Sequence, residues 1–252
     1  MNSNLSCSFF ILIVFSNFYP NHLKASSEIP QSLGLVNIAS LDSSLKVDMA
    51  YSTKINFTEK KVTGYLKNIC YLKEKAALAI VRVNDILKKQ SPAYRLSLRD
   101  CWRPHRATLS MIEWAKQTDE KKLFFSDLND FQKNTFQDPQ LFEKGILRTE
   151  RLLELGYLSS LSNHSRGSTV DLEIEVYNED TKGWTTLEMG TKFDTFAPSS
   201  AHFADLGNPI NQRRSQLKQL MNQQGFASLA KEWWHWIHQA SNEGPILDGE
   251  IR

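Results

Sequence analysis

Two short segments, 162–171 (SNHSRGSTVD) and 232–235 (EWWH), hold residue types that together could build a hydrolytic metal centre. They supply two imidazoles, His164 and His235, and two carboxylates, Asp171 and Glu232. A hydrolytic zinc site uses three protein ligands, an open position for water and a nearby base. Two His and one Asp would leave a single Zn²⁺ with net positive charge, which draws the pKa of its water toward neutrality. Glu232 would then take a proton and return it to a leaving amine. The developing oxyanion calls for a cation, and Arg103, set between Trp102 and Pro104, is the candidate. Residue types alone leave other choices open. His105, His202 and His238 are alternative ligands, Arg103 could equally serve a structural ion pair, and isolated His and Asp are mostly surface or hydrogen-bonded groups. Trp233, Trp234 and Trp236 read as core packing in preference to a sugar platform.

The spacing sets conditions on the backbone. His164 and Asp171 are seven residues apart, so in an unbroken strand they would face opposite ways. The chain must bend between them, and the run from Ser165 to Ser168, with Gly167, supplies permissive residues. Glu232 and His235 are three apart and face the same way only in a helical turn or an irregular stretch.

Alternation over Val47–Tyr51 and Tyr94–Leu98 predicts strands. Leu72, Ala76, Ala79, Ile80, Val83, Ile86 and Leu87 recur at helical spacing, predicting an amphipathic helix over about 71–89 that stops at Ser91-Pro92. Further helices are expected from His105 to Lys116, within 141–156, and from Asn211 to Gln224, where Gly225 stands as a C-terminal stop. A loop around His164 feeds a strand reaching Glu175, and Gly183 marks a hairpin turn. The polar stretch 118–140 reads as a surface insertion. Strands and helices mix without regular alternation, which predicts an α+β class in a single domain over 26–252.

The chain has 252 residues, 41% of them apolar, enough for one sizeable core. A formal net charge of +2 gives no reason to expect a nucleic-acid partner. Phe9–Phe15 is an apolar run too short to span a bilayer, and small polar residues follow it to Ala25. This pattern predicts a signal peptide over 1–25 and an exported, periplasmic protein with no stable membrane anchor after cleavage, although Met1–Ser8 carries no Lys or Arg. Cys7 precedes the apolar run, unlike a lipoprotein cysteine. Cys70 and Cys101 then remain, either as a disulfide or as two free thiols.

At these residues the chain resembles the D-alanyl-D-alanine dipeptidase (VanX-type) family of zinc D,D-peptidases. The resemblance rests on ordered blocks: 51–57 (YSTKINF), 100–107 (DCWRPHRA), 162–171, 189–194 (MGTKFD), 211–214 (NQRR), and Gly225-Phe226 followed by 232–235. It implies a hedgehog/D,D-peptidase-like fold, with a central antiparallel sheet flanked by helices. It implies zinc ligands at His164, Asp171 and His235, a catalytic base at Glu232 and an oxyanion-stabilising arginine at Arg103. Substrate-gripping positions fall on Tyr51, Ser162 and Asp194, with Asp194 suited to a dipeptide's ammonium and Ser162 to its carboxylate or to positioning the peptide. The implied partner is a small dipeptide, and the implied reaction is hydrolysis of D-Ala-D-Ala. The same resemblance allows a D,D- or L,D-carboxypeptidase acting on peptidoglycan stems, or a zinc-stabilised binding module without catalysis. Trp102 and Asn163 depart from the family pattern beside key residues, and 118–140 and the tail after 238 match it poorly.

Overall fold

The structure is a computed structural model that describes residues 30–117 and 123–252. The expected leader and Cys7 lie outside the described residues. Ten strands and five α-helices are described: β1 Leu35–Asn37, β2 Lys46–Val47, β3 Tyr71–Lys73, α1 Glu74–Gln90, β4 Tyr94–Asp100, α2 His105–Gln117, α3 Asp130–Thr135, β5 Phe142–Glu143, β6 Ile146–Leu147, α4 Arg151–Glu154, β7 Thr169–Asn178, β8 Gly183–Thr186, α5 Ile210–Gln223, β9 Phe226–Leu229 and β10 Glu232–His238. The architecture is the expected α+β one. Its main sheet runs β2-β4-β7-β10-β9, with β8 pairing the far end of β7. All these pairs are antiparallel except β2 with β4. No helix among the described residues is long and apolar enough to cross a membrane.

Alternation along β7 separates the two faces of the sheet. Val170, Leu172 and Ile174 belong to the buried apolar core, whereas Asp171, Glu173 and Glu175 point the other way. Ala76, Ala79, Ile80, Val83 and Leu87 of α1 fill that core. Asn84, also buried, accepts from the Leu96 N–H at 3.0 Å and donates to Asp42 at 2.8 Å, so the helix is tied to β4 by a satisfied polar group. Trp233, Trp234 and Trp236 are at most 1% exposed and pack in the core, as expected.

Several boundaries differ from expectation. The predicted strand over Val47–Tyr51 stops at Val47, because the Asn68 amide takes the Met49 N–H and the Val47 carbonyl that a strand partner would use. The first helix starts at Glu74, since Tyr71–Lys73 pairs with β1. Within 141–156 only Arg151–Glu154 is α-helical. Lys144 and Gly145, both at positive φ, instead turn a β5–β6 hairpin. Residues 118–122 of the expected surface insertion lie outside the described residues. Most of the rest is exposed, but it is anchored: Leu128, Thr135, Phe136 and Asp138 are buried, and Phe136 stacks on Trp114.

Candidate active site

Three neighbouring strands bring the site together. The β7–β10 register places His235 directly opposite Asp171, and on the other flank Asp100 of β4 also pairs with Asp171 after a bulge. Directly opposed residues share a sheet face, so Asp171 sits between Asp100 and His235. A register shift between Glu232 and Trp236 lets residues three apart on a strand both reach the same cavity. His164 comes from a 3₁₀ turn, Asn163–Arg166, that ends at Gly167 in the left-handed region, φ 72°. A Cβ on Gly167 would meet Leu35 at 2.6 Å, so both conformation and packing require glycine there. This is the bend that the seven-residue spacing demands.

His164 Nδ1 lies 2.8 Å from the Cys101 carbonyl. A carbonyl only accepts, so Nδ1 carries the hydrogen and Nε2 faces inward. Nε2 is 3.2 Å from His235 Nδ1 and 3.3 Å from Asp171 Oδ1, and His235 Nδ1 is 3.0 Å from the same oxygen. Asp171 Oδ1 is buried, and neither imidazole contact gives it a hydrogen bond of good geometry. Burial alone would raise the Asp171 pKa, but the two imidazoles pull it well below the usual carboxylate range. A tetrahedral ion with bonds of about 2.0–2.1 Å holds its ligands roughly 3.3 Å apart. The three atoms are spaced for such a metal ion, and they are the ligand cluster present among the described residues.

Around this triad stand the other predicted residues. Glu232 Oε2 lies 3.6 Å from His235 Nδ1, and burial pushes its pKa up to about 8. Arg103 donates to Asp100 at 2.9 and 2.7 Å and lies 4.0 Å from Asp171 Oδ2. Its guanidinium also stacks 5.0 Å from the Tyr51 ring. Tyr51 donates to both oxygens of Asp194, at 3.1 and 2.9 Å. Asp194 holds φ 60°, and burial first, then the charge of Asp171, raises its pKa to about 7. The Ser162 hydroxyl accepts from the His164 N–H at 3.3 Å, capping the turn that carries His164. Tyr51, Arg103, Ser162, His164, Asp171, Asp194, Glu232 and His235 all line one cavity of about 170 Å³. His105, His202 and His238, the alternative ligands, do not line it.

Asp100 is the residue that sequence reading missed. It is fully buried and accepts from Tyr65 Oη, the Cys101 N–H and the Arg103 guanidinium, with His164 Nδ1 at 3.4 Å. The signal was present: an acid three residues before an arginine, beside a cysteine. Cys70 and Cys101 form a disulfide that joins this turn to the start of β3. Of the two readings left open for these cysteines, the pairing holds. A second wall was also missed. Gly156–Asn163 contributes Tyr157, Leu158, Ser159 and Leu161 to the cavity, and Tyr157 is held by Asp138 at 2.9 Å.

Residues 31–248 match the family model described as D-ala-D-ala dipeptidase. The chain is 31% identical over 192 residues to a D-alanyl-D-alanine dipeptidase of Enterococcus faecium, covering 75% of this chain and 84% of that protein. It is 32% identical over 193 residues to one from Enterococcus faecalis, with 75% and 83% covered. A third, from Streptomyces coelicolor, is 30% identical over 197 residues, with 78% and 87% covered.

Proposed function

The chain belongs to the D-Ala-D-Ala dipeptidase family of M15 peptidases, and on that premise we propose that it hydrolyses the dipeptide D-Ala-D-Ala to two D-alanines with one zinc ion. The observation that carries this reading is the convergence of His164 Nε2, Asp171 Oδ1 and His235 Nδ1 within 3.0–3.3 Å of one another, with Glu232 and Arg103 in the same cavity. Two neutral imidazoles and a carboxylate suit Zn²⁺. Held there, zinc supplies Lewis acidity toward the attacking water and the peptide carbonyl.

The protein's own groups do the rest. Glu232, in the same cavity as the three donors, accepts a proton from the water and passes it to the departing amine nitrogen. Arg103, fixed by Asp100, faces the oxyanion of the tetrahedral intermediate with a charge it cannot lose. Asp194, oriented by Tyr51, receives the ammonium of the free dipeptide. Ser162 positions the peptide while its oxygen caps the His164 turn. The cavity's small volume and the wall from Gly156 to Asn163 favour a dipeptide over a peptidoglycan stem. An N-acylated substrate would bury Asp194 without its cation, a costly arrangement. Glu232 and Arg103 also argue against a purely structural zinc, which needs neither. The buried Cys70–Cys101 disulfide supports export to an oxidising compartment, the periplasm in our reading.

The test is to incubate the purified, zinc-loaded protein with free D-Ala-D-Ala and, separately, with a muropeptide ending in D-Ala-D-Ala. Release of D-alanine from the dipeptide alone is expected. Hydrolysis of the muropeptide but not the dipeptide would assign the carboxypeptidase activity instead.

A further inference from the structure

The tail after His238, expected from sequence to match the family poorly, lies within the family match as far as Asp248. Beyond Ser241 it has no helix or strand, yet it is tied repeatedly to the backs of the segments that carry the site. The Leu247 N–H donates to the Ser165 carbonyl at 2.8 Å, and the Leu247 carbonyl accepts from the His105 N–H at 3.1 Å. Ser165 follows the ligand His164, and His105 lies two residues after Arg103. One residue of the tail therefore bridges the turn bearing a metal ligand and the turn bearing the oxyanion arginine.

The neighbouring contacts reinforce the bridge. Asp248 accepts the Arg106 N–H at 2.9 Å and its guanidinium at 3.1 Å on Oδ1 and 2.9 Å on Oδ2, a two-pronged pair at the first turn of α2. Ile251, fully buried, bonds through its N–H to the Gly64 carbonyl at 2.8 Å, and its carbonyl accepts from Leu66 and Lys67. Tyr65, between these residues, donates to Asp100, which holds Arg103. Lys73 reaches the Ser241 and Glu243 carbonyls, and Arg166 reaches the Gly244 carbonyl. The tail thus grips the flanks of His164, Arg103 and Asp100, and none of its residues lines the cavity.

We propose that residues 243–252 form a positioning strap for the active site, in which the main chain of Leu247 fixes the His164 turn against the Arg103 turn. The strap acts through other residues and touches no substrate. This inference rests on the zinc reading above. Groups that orient a metal's ligands typically contribute about 10–100-fold in affinity, and misplacing a catalytic group by an ångström also lowers turnover.

The experiment uses full-length protein and compares wild type with Leu247→Pro, Leu247→Ala and Asp248→Ala. Proline removes the N–H that reaches Ser165, whereas alanine keeps both main-chain bonds. The zinc dissociation constant is measured by chelator competition, kcat and KM on D-Ala-D-Ala, and Tm separately. Leu247→Pro should weaken zinc roughly 10-fold and lower kcat more than it raises KM, with Leu247→Ala close to wild type. Asp248→Ala should move zinc affinity the same way, and it stands in if the proline variant does not fold. Lower Tm with unchanged zinc affinity and kcat in both variants would reduce the tail to a structural staple and overturn the proposal. Wild-type protein that binds no stoichiometric zinc would instead sink the zinc reading, and the strap with it.

Discussion

His235 stands directly opposite Asp171 across the β7–β10 pair, with Nδ1 3.0 Å from Oδ1. Sheet register alone therefore delivers two of the three proposed metal ligands, and the glycine-terminated turn delivers the third. Removing any one should leave two donors, too few to hold a tetrahedral ion. His164→Ala, Asp171→Ala and His235→Ala should each lose most bound zinc in elemental analysis after dialysis. Stoichiometric zinc in any of the three would contradict the ligand set.

Glu232 should separate catalysis from metal binding. It lies 3.6 Å from His235 but is not one of the three clustered ligands. Glu232→Ala should cut kcat by about 10²–10⁴-fold while zinc content holds at one ion per chain. Near-normal turnover in this variant would remove Glu232 from its role.

Asp100 holds Arg103, Tyr65 and the Cys101 N–H from a fully buried position. Asp100→Ala leaves a buried guanidinium without its partner, so urea unfolding should show a loss of about 3–5 kcal/mol. Asp100→Asn preserves volume and should fold, with kcat lowered more than KM raised, because Arg103, the proposed oxyanion cation, is no longer fixed. Equal kcat in wild type and the asparagine variant would mean that Asp100 serves stability alone.

The disulfide closes a loop with a sequence separation of 31. A loop of that length stabilises by about 3–4 kcal/mol in the chain-entropy description. The Cys70→Ser/Cys101→Ser double variant should lose an amount of that order in equilibrium denaturation. A loss below about 1 kcal/mol would point to a rigid unfolded state or compensating strain.

His202 packs edge-on to Trp236 with ring centroids 4.9 Å apart, and burial, ahead of Lys218 and Arg214, pulls its pKa down to about 4 from an ordinary 6.5. Between those values the unfolded chain binds the proton and the folded chain does not. Its contribution to stability is therefore complete above about pH 6.5 and is lost as pH falls toward 4. His238, also lowered by burial, acts in the same direction. The urea midpoint should drop from pH 7 to pH 5, and His202→Phe should shrink that drop. An undiminished drop in the variant would assign the acid sensitivity to other groups.

The site was more legible in the sequence than its supports. His164, Asp171, Glu232 and His235 announce themselves by type, and the seven-residue spacing already required the bend that Gly167 provides. Three-residue spacing cannot distinguish a helical turn from a register shift, so the β10 irregularity is legible only in the sheet. Asp194 and Tyr51 came only from family resemblance: a lone aspartate at 194 carries no local signal, and the hydrogen bond between them spans 143 positions. Asp100 and the Leu247 bridge were missed because their roles lie in long-range contacts that periodicity does not encode. Among the elements, α1 was readable from its apolar spacing, and α2 and α5 lie close to their expected bounds. The strand at 46–47 was overestimated because the Asn68 side chain replaces a strand partner.

The most direct test strips metal from the wild-type protein with a chelator, confirms its removal, and adds back zinc in fractional equivalents while D-alanine release from D-Ala-D-Ala is followed. Activity should be absent in the stripped protein and rise linearly to a plateau at one zinc per chain. Full activity without metal, or stoichiometric zinc with no hydrolysis of the dipeptide, would contradict the proposed function.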